Sequence, residues 1–235
     1  MAPPRRGGGA KPSHRGAALI GAVIAALLLA LATPRLVAAL FALDAQATLW
    51  DVHTGVTVPP TDLAAAAAGL AAAGRWVADG GNEADRGLLL LRRAIALPSG
   101  ADRDRLLGEA EAATAAGLGL APGQPGVWLR LAWLRKSGGD AAGALAALRL
   151  SWLAGGFVPT LMMSRLDFAL GLLPAMNAEM RSLLRRQLRL TWVVAPDTVT
   201  GLSRRSDLAP LVQEALADLS DEEIAHYVRL HGRRQ

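Results

Sequence analysis

The stretch from residue 125 to residue 159, PGVWLRLAWLRKSGGDAAGALAALRLSWLAGGFVP, constrains this chain more than any other. Val127, Trp128, Leu131, Ala132 and Leu134 recur at spacings of three and four, which predicts a helix with one broad apolar face. Gly138 and Gly139 end that helix, because glycine lowers helix propensity and readily takes the left-handed geometry of a C-terminal turn. Asp140 follows, placed to accept hydrogen bonds from the free amides of a second helix. That second helix, residues 141–153, is apolar nearly all round, and Arg149 is its only charge. Such a helix must be covered on more than one side. It needs neighbours before and after it, so the expected fold is an all-α array rather than an isolated hairpin.

These residues resemble one tetratricopeptide repeat. Trp128, Leu131 and Ala132 stand at the first-helix positions of that signature, and Ala144 and Leu148 at positions of the second helix. Ser151 stands where a small alanine is usual, and Pro159 closes the unit a few residues late. Residues 118–122, LGLAP, are similar to the end of a preceding unit. The clear resemblance covers about 35 residues. It implies stacked antiparallel helix pairs and a concave face that binds protein partners. Leu129, Trp133 and Lys136 fall at the positions that line that face. The residues alone leave two alternatives open: an ordinary antiparallel pair in a helical bundle, and Trp133 packed against a neighbouring helix.

Glycine and proline punctuate the rest of the chain about every 15 to 20 residues, as in helical repeats. Helices are expected over residues 62–78, 82–97, 101–118, 160–173 and 177–193, followed by short ones over 197–204, 207–219 and 221–231. Pro59 and Pro60 precede the first, with Thr61 and Asp62 as its caps. Ser220 and Glu223 form a capping box. Met162 and Met163 read as core filler. Within 177–193, Met180, Leu183, Leu184 and Leu188 face one way. Arg181, Arg185 and Arg189, four residues apart, form a row on the other side, with Arg186 beside them. Arg204 and Arg205 add to this basic surface. It is either a solvated helix face or a site for an anionic ligand, such as a lipid headgroup or a polysaccharide.

The N-terminus fixes the setting. Residues 16–33 contain eighteen residues without a charge, enough for a transmembrane helix. Pro34 and Arg35 interrupt the run, which then continues apolar to Leu43. Ahead of it, Arg5, Arg6, Lys11 and Arg15 carry four positive charges with no acid. The whole chain has a net charge of +5, so the remaining 220 residues sum to only +1. That distribution follows the positive-inside rule and does not describe a nucleic-acid-binding face. The expected division is a basic cytoplasmic tail (1–15), a membrane segment (16–43), a juxtamembrane linker containing a turn (44–60) and a helical-repeat domain (61–235). A small-x-small pattern at Ala30 and Ala32 supports an alternative, a signal peptide cleaved to release a periplasmic binding protein.

Signs of chemistry are few. The chain has no HExxH, no phosphate-binding glycine loop, no GxSxG and no cysteine. Of the four histidines, His226 and His231 are five residues apart, which turns them away from each other on a helix. The reading is therefore a non-enzymatic scaffold without cofactor or metal, anchored by a single pass in a bacterial inner membrane. Its N-terminus is cytoplasmic and its bulk periplasmic, where it holds other envelope proteins. Surface-polysaccharide and secretion assemblies enter by fold analogy alone.

Overall fold

The computed structural model describes residues 14–232. Every regular element among them is helical, with eleven α-helices and one short 3-10 turn. The basic tail read at 1–15 lies outside the described residues, apart from its last two.

The first helix, α1 (His14–Thr54), is one unbroken rod of 41 residues, about 61 Å long. The linker expected at 44–60 is therefore helical for most of its length, and the turn comes only at Gly55, whose φ is +82°. Two causes are visible. Residues 44–54 contain no glycine or proline to stop a helix. Ala38, Ala42, Ala45, Leu49 and Val52, spaced four and three apart, are all buried. Pro34 does not end the helix either. Thr33 Oγ1 donates to Leu29 O at 2.7 Å, and the Arg35 guanidinium turns back to Leu31 O at 3.2 Å. The apolar half of α1 has a mean hydropathy of 2.2 and is almost wholly exposed.

The chain then folds back repeatedly. α2 (Pro60–Gly74) runs antiparallel to α1, and α3 (Gly80–Ile95) and α4 (Ala101–Leu120) form the most closely packed pair. Glycine makes both approaches close. A Cβ on Gly69 would lie 2.7 Å from Phe41 O, and one on Gly117 would lie 2.7 Å from Ala84 N. α5 (Pro125–Ser137) and α6 (Ala141–Ala154) form the hairpin expected from the sequence. Gly139, with a φ of +85°, makes its turn, and the Asp140 carboxylate accepts from Gly143 N at 2.7 Å. α7 (Pro159–Leu170) leads through a 3-10 turn at Leu173–Ala175 into α8 (Ala178–Val194). The short helices α9 (Pro196–Ser203), α10 (Ala209–Ala215) and α11 (Asp221–Gly232) close the array against α8 and one another.

Two cores result. The second half of α1 packs with α2, α3 and α4 around Leu70, Leu89 and Ala110. α5 to α8 pack around Leu131, Leu148, Leu166 and Leu184, closed by Val199 and Val212. The cores meet across α4 and α5, where Leu134 reaches the first core and Ala84 and Leu118 reach the second. Met162 is buried, as expected of core filler.

The expected Ser220 and Glu223 capping box forms, with Glu223 Oε2 accepting from Ser220 N at 2.9 Å. Thr61 and Asp62 do not cap α2. Its first turn begins on Pro59 and Pro60, and Thr61 Oγ1 donates instead to Asp62. Trp128 is half-buried rather than central, and its indole N–H donates to Pro122 O at 2.7 Å.

Candidate functional site

α5 and α7 run in the same direction, with the start of each at one end. Gly126 faces Leu161 there, and at the other end Lys136 Nζ lies against Gly171. Their outer faces enclose an open groove of about 510 Å³, lined by Trp133, Lys136, Ser137, Ser164, Asp167 and Phe168. Trp133 keeps 37% of its surface exposed. The Lys136 ammonium sits 5.1 Å from the centroid of the Phe168 ring, within cation–π range. The groove thus offers two aromatic surfaces, one cation and one carboxylate, with two hydroxyls between them. That set suits an extended or helical polypeptide with an apolar anchor and nearby polar groups.

Two of the three residues expected on this face, Trp133 and Lys136, line the groove. Leu129 does not: it is half-buried and packs onto the core of α5 to α8. The α7 contribution, Ser164, Asp167 and Phe168, was not foreseen. Its signal was present, because Met162, Leu166 and Ala169 mark the buried stripe and leave 164, 167 and 168 together on another face.

The arginine row is used inside the fold. Arg181 Nε donates to Met176 O at 3.3 Å. Arg185 pairs with Glu214 of α10 at 2.9 Å, and Arg189 holds Glu223 of α11 with two bonds at 3.0 and 3.2 Å. Arg204 donates to Leu230 O, and Arg205 pairs with Asp207 at 2.8 Å. The row therefore ties the C-terminal helices to α8.

Arg186 stands apart. It is exposed and lines a small cleft between α6 and α8 with Trp152, Leu153, Gly156, Leu183, Gln187 and Leu190. Trp152 Nε1 and Gln187 Nε2, both buried, have no partner among the described residues.

The Arg189 hydrogen bonds, then those from Ser220, hold the Glu223 carboxyl down at about 2, well below its ordinary value near 4.5. A folded-state pKa lower than the unfolded one favours the docked state above about pH 4.5. That advantage is lost as pH falls toward 2. The hold of α11 on α8 should therefore weaken in this window. Trp192 reports it, because its ring lies 5.8 Å from both His226 and Tyr227. Acid titration of Trp192 fluorescence should show the transition. Glu223→Gln should lose most of this pH dependence, and an unchanged titration in that variant would refute the role given to the pair.

Two arginines, one half-buried and one fully buried, tie other helices together. The Arg130 guanidinium of α5 donates to Ala84 O of α3. Burial pushes the nearby Asp85 carboxyl up, and the charge of Arg130 opposes that. Arg165 of α7 is fully buried. It donates to Ser151 Oγ at 3.0 Å, to Gly155 O at 2.7 Å and to Ser151 O at 2.5 Å. Ser151 Oγ also donates to Pro125 O at 2.7 Å, which explains a serine at this position.

Among the described residues no cluster of three or more His, Asp or Glu side chains is arranged to hold a metal ion. No model of a known protein family matches the chain, and no curated protein sequence matches it.

Proposed function

We propose that this protein is a membrane-anchored, non-enzymatic scaffold whose tetratricopeptide-like helical array binds segments of other envelope proteins. One observation carries the reading: the α5–α7 groove, where Trp133, Lys136 and Phe168 form an exposed aromatic and cationic surface on a well-packed support. Two parallel helices line it with α6 behind them, which is the arrangement that tetratricopeptide repeats use to hold peptides. The apolar half of α1 supplies the anchor. On this reading the N-terminus is cytoplasmic and the array lies in the periplasm.

Trp133→Ala tests the groove. A half-exposed aromatic carries little of the core, so melting should shift only slightly. Loss of an aromatic anchor from a peptide site typically costs 2 kcal/mol or more, or roughly 30-fold in affinity. Proteins recovered from solubilised membranes on the intact chain should be depleted on the variant. Unchanged recovery would place the binding face elsewhere, and a large fall in melting temperature would make Trp133 a packing residue. Anchoring is tested separately. Carbonate washing should leave the chain in the membrane with residues 16–33 still attached, whereas a mature N-terminus at Thr33 would favour the released periplasmic form.

A further inference from the structure

The helices alternate in direction, so their turns fall on two opposite edges of the array. On one edge α2 ends beside the α1 segment from Arg35 to Ala42, where Val77, Asp79 and Asn82 share a cleft with those residues. α4 ends against the start of α3, since a Cβ on Gly80 would touch Ala121. α6 ends beside Pro125, the start of α5. The later part of α8 lies along the end of α6, around Leu153 and Gly156. Helices α2, α4, α6 and α8 therefore all end on the edge from which the apolar half of α1 emerges.

That edge is apolar at every turn. It exposes Trp76 after α2, Leu120 at the end of α4, Leu153 and Phe157 at the end of α6, and Val193 and Val194 at the end of α8. Trp76 is 50% exposed and Phe157 55%. Among the described residues the opposite edge exposes Val56 and Ile95 at its first two turns, with Trp50 in the last turn of α1. It exposes no large apolar side chain at residues 137–140 or 171–177. Scattered surface hydrophobics are ordinary, but a one-sided row continuous with an apolar helix marks a contact surface.

A span of about 30 Å needs about 20 residues, so a bilayer crossed from residue 16 ends near Arg35. Arg35 is level with the Trp76 turn. Leu36, Leu40, Phe41 and Leu43 keep the outer face of α1 apolar slightly further on. Tryptophan beside arginine, as in Arg75 and Trp76, is the pairing favoured at a headgroup layer.

We infer that this edge of the array lies against the bilayer surface, with Trp76, Leu120, Leu153, Phe157, Val193 and Val194 inserted among the lipid headgroups. The inference rests on the anchoring proposed above. The occupant is lipid rather than a second copy, because the row begins where α1 leaves the bilayer and continues the same apolar surface. The array then lies along the membrane with its opposite edge toward the aqueous side.

The chain lacks cysteine, so each introduced cysteine carries a unique label. Full-length Leu120→Cys, Phe157→Cys, Val56→Cys, Ile95→Cys and Leu27→Cys, each nitroxide-labelled, would be reconstituted in liposomes of phosphatidylethanolamine and phosphatidylglycerol. Accessibility to oxygen and to a water-soluble nickel chelate reports depth. Labels at 27, 120 and 157 should favour oxygen, and those at 56 and 95 the nickel chelate. Water-like labels at 120 and 157 with a lipid-like label at 27 would overturn the inference and leave the anchor standing. A water-like label at 27 would overturn the anchor and the edge contact together. Labels at 120 and 157 shielded from both reagents would mean that another protein copy covers the edge, again overturning the inference. Melting of each labelled variant shows that a change in accessibility is not unfolding.

Discussion

Arg165→Ala is expected to lower stability by roughly 3–5 kcal/mol, a large share of what holds a domain folded. The guanidinium is fully enclosed and meets the last turn of α6, where helix carbonyls have no partner of their own. Truncation strands the carbonyl of Ser151 and removes a donor from the part-buried carbonyl of Gly155, at about 1–3 kcal/mol for a buried unmet group, and leaves a cavity besides. The backbones of α6 and α7 hardly approach one another, so side chains carry this joint, Arg165 among them. Arg165→Met separates the two contributions. It refills most of the volume but donates nothing, and should fall between wild type and alanine. Denaturant unfolding of the detergent-solubilised chain is the measurement. An alanine variant as stable as wild type would mean that water replaces the guanidinium without cost.

Gly117→Val should cost roughly 2–3 kcal/mol by forcing α3 and α4 apart. The atoms it would meet are the Ala84 amide at 2.7 Å and the Gly80 carbonyl at 2.8 Å. Both belong to backbone and cannot rotate away. Gly108 supplies the control in the same helix. Nothing lies within 4 Å of its Cβ position, so Gly108→Ala should stabilise by about 0.5–1 kcal/mol through helix propensity alone. Opposite signs for the two positions in thermal melting support a glycine contact at this joint. A loss at both would mean that α4 tolerates neither substitution, and would remove this support for a contact specific to Gly117.

The parts legible in the sequence were those set by local chemistry. Gly139 and Asp140 shape the α5–α6 turn as read, and Ser220 with Glu223 starts α11 as read. The parts not legible depended on distant partners. The extent of α1 was hidden because its buried stripe is mostly alanine, whose weak hydrophobic contrast gives a faint periodic signal. The ion pairs of the arginine row were not legible, because Glu214 and Glu223 lie 29 and 34 residues away from Arg185 and Arg189. The role of Arg165 is not legible, since nothing nearby in sequence announces that α6 needs a donor at its end. The groove was half legible: Trp133 and Lys136 came from the repeat-like pattern, but the α7 wall required knowing which face of that helix is buried.

The unbroken α1 rod has a mechanical consequence. A flexible stalk would let the array swivel and sample many heights above the membrane. On the anchoring proposed above, a helix continuous from the bilayer into the packed core restricts both, so its phase and length set the azimuth and the reach of the groove together. Each residue added to such a rod turns everything beyond it by about 100° and advances it by about 1.5 Å. On that reading the residue count between the bilayer and Ala38 works as a gear setting for the direction in which the groove faces.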